Sequence, residues 1–275
     1  MTDRDTSSMT ETFVPLHSHL LSEQTAVRHG ITRRALGNGP GEGNVGYGPP
    51  RNRDNAWRSR QGWAHAVGVD AEKIVTCSQV HGTTVLSVDA THAGAGARPY
   101  STSPGHADAL ITDVPGLVLV TIHADCAPIL LVDPAGPVIA AVHAGWRGTV
   151  ADIAGRVVQE MRHRFGSEPG RIRAFIGPAI GPCCYDVGPE VVAAWRAQTG
   201  VEPAAALCGE PHFDIAGANA LLLHRAGLVD AHIDRSTVCT RCHGHEWFSH
   251  RGQGPMTGRF GAMIAITPPL AGNGT

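Results

Sequence analysis

Cys126 and His143 are the residues whose types and spacing point most directly to chemistry. One closes the segment Ala124-Asp125-Cys126-Ala127-Pro128 and the other opens His143-Ala144-Gly145-Trp146-Arg147-Gly148. Between them, short apolar runs at 129–132 and 138–142, rich in β-branched residues, flank Asp133-Pro134-Ala135-Gly136-Pro137. Pro and Gly between two such runs mark a turn, so the stretch predicts a β-hairpin. Cys126 lies nine positions before Ala135 and His143 eight after it, which places both at the open end of that hairpin. A sulfur ligand and an imidazole brought together there make half of a transition-metal site. His81, in Ser78-Gln79-Val80-His81-Gly82, ends another strand-like run at 74–77 and is the third candidate. Two His and one Cys leave a fourth tetrahedral position open, the pattern of a catalytic rather than a structural zinc. With 16 His and 7 Cys in the chain, chance proximity at strand ends is the competing reading.

The elements that must position these residues are legible in outline. Residues 55–67 read as a helix with Trp57 and Trp63 near its apolar face, and 118–122 as a buried strand. Residues 150–165 carry a helical stripe of Val150, Ile153, Ala154, Val157, Val158 and Met161. Thr149 is the expected N-cap of that helix, supported by Asp152 in its first turn. Strands are expected at 172–176 and 260–266. Helices are expected at 189–198, with Pro at the start, and at 216–226, stopped by Gly227. Segments 37–50 and 92–106 read as loops, the second of them exposed. Without an internal repeat or a long linker, the chain reads as one mixed α/β (α+β) domain over 13–268. Its sheet core would be flanked by helices, with tails at 1–12 and 269–275.

The helix start after His143 adds a second chemistry. Gly145 and Gly148 permit a tight turn, exposed N–H groups at a helix start attract anions, and Arg147 offers a fork of donors suited to phosphate. Arg147 paired with a carboxylate is the alternative.

Composition fits an ordinary enzyme. The chain has 275 residues, 42% hydrophobic and 17% charged, enough for a sizeable core. A net charge of −2 and the lack of a basic patch argue against a nucleic-acid partner. The longest apolar stretch, 117–132, is interrupted by His123, Asp125 and Pro128, too short and polar to span a membrane. Residues 1–28 show no signal-peptide core, and seven unevenly spaced cysteines read as free thiols, so a cytoplasmic location is expected.

Taken in order, several motifs resemble the YfiH-type, or laccase-domain, family of purine nucleoside phosphorylases. These are Ser78-Gln79-Val80-His81-Gly82, Ala107-Asp108-Ala109-Leu110, Ala124-Asp125-Cys126-Ala127-Pro128, Ala141-Val142-His143-Ala144-Gly145-Trp146-Arg147-Gly148-Thr149 and Ile176-Gly177-Pro178-Ala179-Ile180-Gly181-Pro182. Phe213-Asp214-Ile215, Phe248-Ser249-His250-Arg251 and Gly258-Arg259 also fit. The resemblance implies the laccase-domain fold, zinc held by His81, Cys126 and His143, and a purine nucleoside and phosphate as the small-molecule substrates. It further implies phosphorolysis of inosine, adenosine, guanosine and methylthioadenosine to the free base and ribose 1-phosphate, with adenosine deamination at the same site. An Asn-Arg pair of the family corresponds to Ser59-Arg60 here, which makes Arg60 a second phosphate candidate beside Arg147. Asp125 and Asp108 are candidates to orient the ligand histidines, with turn capping as the alternative.

The chain departs from the family at Pro49, Ser59 and His123. His123 reads as a satisfied interior histidine in preference to an extra ligand. Cys183-Cys184 carries no expected role. Cys239-Thr240-Arg241-Cys242-His243 matches a haem-attachment pattern, and with His245 it could instead hold a second metal; two free thiols on a loop is the plainer reading. Three rival functions remain: a copper-dependent polyphenol oxidase (laccase), a Cys126 amide hydrolase that edits peptidoglycan precursors, and a zinc-dependent interaction module. Copper is less expected than zinc, because no His-x-His pair adjoins His81 or His143. The preferred nucleoside and the oligomeric state are not encoded in any motif.

Overall fold

The computed structural model describes residues 13–37, 41–198, 201–209 and 211–268; the expected tails at 1–12 and 269–275 lie outside them. In chain order the elements are α1 (His19–Ser22), β1 (Val27–Ile31), α2 (Arg53–Val67), β2 (Ile74–Val75), β3 (Val85–Ser87), β4 (Ala109–Thr112), β5 (Val118–His123), β6 (Ala127–Asp133) and β7 (Val138–Ala144). Then follow α3 (Trp146–Val150), α4 (Ile153–Phe165), β8 (Arg173–Ile176), α5 (Pro189–Arg196), α6 (Ile215–Arg225), β9 (Ile233–Arg235), α7 (His250–Gln253) and β10 (Phe260–Ile266).

The strands form two mixed sheets, ordered β1-β10-β5-β2 and β3-β4-β7-β6-β8-β9. Alternation along the strands explains how they stack. In β6, Leu130 and Val132 join Leu119, Phe260 and Ile264 of the smaller sheet in one core. Ile129 and Leu131 point the other way and pack with Val157, Met161, Trp195 and Leu222 of α4, α5 and α6. On the far side of the smaller sheet, Val118, Val120 and Met263 meet Trp63 and Val67 of α2. The order is therefore helix, sheet, sheet, helices. A strand covered on both faces favours apolar residues on both, which is why β6 and β7 are apolar except for Asp133 and His143 near their ends.

The helix expected at 150–165 begins and breaks differently. Trp146–Val150 is a separate short helix that starts at Gly145. Asp152, at φ 59°, then caps α4 by accepting the Gly155 N–H. Thr149 is not the cap: it is buried, and its hydroxyl accepts from Asn219 Nδ2 at 2.9 Å. The loop at 92–106 is not wholly exposed either, because Gly96 and Ala97 are buried.

Two passages between the sheets matter most. The turn at 124–126 carries the chain from β5 in one sheet to β6 in the other, with Asp125 at φ 86°. Residues 76–84 make a second passage, from β2 to β3, with His81 at φ 59°. Such left-handed conformations are uncommon for residues other than glycine, and they mark where the chain is bent to place a side chain.

Candidate active site

The hairpin of β6 and β7 has the expected register. Ala127 lies opposite Ala144 and Pro128 opposite His143, so Cys126, one residue before β6, stands beside His143. The passage at 76–84 brings His81 to the same place. The donor atoms of His81, Cys126 and His143 lie within 4.8 Å of one another. The two imidazoles meet edge to face, with centroids 4.8 Å apart. His143 is buried, Cys126 half-buried and His81 exposed, so the cluster has a closed side and an open one.

Asp108, fully buried at the start of β4, organises this cluster. Its carboxylate accepts the backbone N–H groups of Val80 (3.2 Å), His81 (3.0 Å) and Gly82 (2.7 Å), which pins the passage that carries His81. It also accepts from His143 Nδ1 at 2.8 Å. That bond fixes the proton on Nδ1 and leaves Nε2 as the ring's available lone pair. Burial opposes ionisation of Asp108, but His143 and the Gly82 N–H outweigh it and hold the carboxyl below its ordinary range.

Cys126 and His143 are electrostatically linked. Burial would raise the Cys126 thiol, yet the charge of His143 and hydrogen bonds from His143 and His81 bring it down to about 6. Burial would lower His143, yet Cys126 and Asp108 raise it to about 9. Together they favour a thiolate facing an imidazolium, and loss of the His143 Nε2 proton would leave both with a lone pair available to a metal.

Gly145 shows how closely the backbone approaches these donors. A Cβ there would lie 3.0 Å from His81 Cδ2, 3.2 Å from Cys126 Sγ and 3.8 Å from His143 Cε1. Its φ of −76° suits any residue, so space around the three donors is what demands glycine. A soft thiolate, two imidazoles, a buried carboxylate behind one of them and a side-chain-free wall together fit a transition-metal ion.

The cluster opens into a cavity of about 540 Å³. Ile122, Ile180 and Ile215 supply apolar wall, and Tyr185, His250, Arg251 and Arg259 supply polar groups. Gln79 ties the His81 passage to β5, donating to the Ile122 carbonyl at 2.8 Å and accepting its N–H at 2.7 Å. Burial and the neighbouring Arg51 lower Arg259 to about 10, so it stays cationic at neutral pH. Burial and the Cys126 charge push the Tyr185 phenol up and keep it protonated.

Other expected site residues fall elsewhere. Arg60 does not line the cavity; it is buried and donates to the carbonyls of Val45, Gly96 and Ala97 at 2.7–2.9 Å, with Tyr47 against its face. It holds loops on α2, away from the cavity where the phosphate role was expected. Arg147 is exposed and lies over the Trp146 ring, 4.4 Å from its centroid, near enough for its charge to act on Tyr185. Asp125 touches neither ligand histidine. It accepts from Thr240 Oγ1 and the Arg251 N–H, both at 2.6 Å, whereas the carboxylate bonded to His143 is that of Asp108. His123 is the satisfied interior histidine expected, bonded to Thr121 Oγ1 at 2.8 Å and stacked on Phe260. Sequence reasoning assigned no role to Arg251 and Arg259, although both stand in motifs quoted for the resemblance, and it passed over Tyr185. The pairing of those motifs with a site was the available signal.

Comparison with known proteins finds relatives in both sequence and fold. A family model described as multi-copper polyphenol oxidoreductase laccase matches residues 28–267. Purine nucleoside phosphorylase YlmD of Geobacillus stearothermophilus is 37% identical over 227 residues, 80% of this chain and 82% of that protein. Adenosine deaminase RL5, from an unknown prokaryotic organism, is 36% identical over 200 residues, covering 71% and 76%. The crystal structure of Bacillus licheniformis hypothetical protein YfiH superposes with a TM-score of 0.86 at 30% identity, covering 93% of this chain and 97% of that one.

Proposed function

The chain belongs to the multi-copper polyphenol oxidoreductase laccase family, and on that premise we propose that it is a zinc-dependent purine nucleoside phosphorylase that also deaminates adenosine at the same site. The observation that carries the reading is the His81–Cys126–His143 cluster opening into a cavity that holds both apolar wall and two arginines. At about 540 Å³ the cavity falls in the range of roughly 300–1,000 Å³ usual for small-molecule sites.

In phosphorolysis a phosphate oxygen bonds to C1′ of the ribose while the bond from C1′ to the purine nitrogen breaks, its electron pair leaving with the base. Arg251 and Arg259 supply the cationic donors that place phosphate, and Arg147 adds charge at the rim. Tyr185 and the three isoleucines offer a face for the purine, and His250 is the wall imidazole available to protonate the departing base. When bound, zinc supplies Lewis-acid polarisation and lowers the pKa of water, which suits addition of water at C6 of adenosine and loss of ammonia. His81, Cys126 and His143 would hold it, and Asp108 keeps His143 in the tautomer that can.

A metal-counted assay tests the reading. Zinc and copper are measured on the purified protein, which is then given inosine, adenosine, guanosine and methylthioadenosine with and without phosphate. Free base, ribose 1-phosphate and ammonia are followed. Phosphate-dependent release of base, lost with zinc in His81→Ala, is the expected result; full activity in a variant lacking that zinc would sink it.

One observation favours a second reading. A Cys126 thiolate beside a protonated His143 is also the resting state of a cysteine hydrolase. A chelator that stops turnover separates the two, since a free thiolate nucleophile would survive it and die on alkylation. For a polyphenol oxidase the donors are sparse. Among the described residues, the His/Cys/Asp/Glu groups suited to a metal are this cluster and one made of cysteines alone, and no Met lines the cavity.

A further inference from the structure

We propose that Cys183, Cys184, Cys239 and Cys242 form a second metal site, a closed four-sulfur site for a structural zinc ion. Their four sulfurs lie within 4.8 Å of one another. Cys242 Sγ is 3.6 Å from Cys183 Sγ and 3.4 Å from Cys184 Sγ. A disulfide would need about 2.0 Å. A tetrahedron of sulfurs each about 2.3 Å from zinc has edges of roughly 3.8 Å, so the spacing fits four donors around one ion. Cys239 and Cys242 stand in C-x-x-C spacing, a common pair in such sites. The donor group is made of cysteines alone, and the His residues that the motif suggested as partners are not part of it; His245 Nε2 lies 3.2 Å from Glu246.

The backbone is set for thiolates. Gly181 N–H points at Cys239 Sγ from 3.2 Å. That N–H favours negative charge on the sulfur. Metal-bound thiolates gain from such donors in the same way. None of the four cysteines lines the active-site cavity, so the site has no substrate to admit and no need of an open position.

The position explains what the ion would do. The loop that carries Cys183 and Cys184 begins at Ile180, whose N–H donates to the Asp125 carbonyl at 2.9 Å, and ends at Tyr185 of the cavity wall. The loop that carries Cys239 and Cys242 includes Thr240, which donates to the Asp125 carboxylate and, through its N–H, to the Ala179 carbonyl. A zinc ion joining the two loops would clamp both onto the turn that presents Cys126. The inference is independent of which reaction the cavity performs.

The test counts metal in this chain and in two variants of it, each loaded with zinc alone under reducing conditions. The unmodified chain is expected to hold two zinc ions, and both His81→Ala and the double variant Cys183→Ser/Cys242→Ser one each. Zinc-edge X-ray absorption of His81→Ala should then show four sulfurs at about 2.3 Å. That measurement decides the matter even if the double variant fails to fold. A zinc-free His81→Ala protein, a Cys242 disulfide in it, or iron with inorganic sulfide in place of zinc would each overturn the proposal.

Discussion

Two clusters of soft donors adjoin the same turn, and they are built for opposite ends. Cys126 follows Asp125 directly, while Thr240, next to Cys239, is bonded to the Asp125 carboxylate. The first cluster mixes one sulfur with two imidazoles, is backed by the buried carboxylate of Asp108, and faces a cavity. The second is sulfur only, is supported by backbone N–H groups, and does not line that cavity. Three donors with an open side leave room for a reacting group; four leave none. On the two proposals, the same thiolate chemistry would serve reaction in one place and cross-linking in the other, and what differs is the number of donors and what stands behind them.

The sharpest way to break that contrast is Cys126→Ser. It should remove one metal and cost several kcal/mol of charge stabilisation, roughly a thousandfold in turnover, with the four-cysteine metal retained. Metal analysis beside steady-state rates checks it; a variant that loses both ions would mean that the two sites are not separable. Asp108→Asn should act on the first cluster alone. Without a carboxylate behind it, His143 loses both its fixed tautomer and its orientation, and metal affinity should fall by about 10–100-fold. Competition with a chelator reads that shift.

The smallest effect is a pH slope. In the metal-free protein His143 keeps its proton until about 9, so metal binding must expel it. Affinity of the first cluster should therefore climb about tenfold per pH unit from neutrality and level off near that value. The sign follows from competition between proton and metal for one nitrogen. The four-cysteine site should be steeper, because burial and neighbouring cysteines raise both Cys183 and Cys184, the latter to about 11. Titrations at several pH values measure both slopes; a flat response at His143 would show that Nε2 is not a ligand.

Much of the first cluster was legible because its partners are close in sequence. Cys126 and His143 flank one hairpin, and a hairpin's register follows from its turn. Strand β10 and helix α2 were likewise readable, because their apolar patterns are periodic or unbroken. The second cluster was not legible. Cys183 and Cys184 lie 59 and 58 residues from Cys242, and only a loop-to-loop contact brings them together. The break at Asp152 was hidden for a related reason: the apolar stripe runs through it, while the carboxylate that caps α4 at that point is also held by Arg225, 73 residues away.

By itself, then, the sequence determined the periodic elements, the hairpin that pairs Cys126 with His143, and the residue types able to hold a metal. Local pattern suffices for these, since burial of alternate or helical faces and turn chemistry act over a few residues. Only the tertiary structure decided which charges face the cavity and which are spent inside. Arg60 resembled an anion ligand in its motif, yet buried carbonyls of Val45, Gly96 and Ala97 claim it. Asp108 and Asp125 were both candidates, with Asp125 slightly preferred, and the pairing of β4 with β7 gave His143 to Asp108. A polar side chain takes whichever partner the fold leaves within about 3 Å, and that distance is set by elements far apart in the chain.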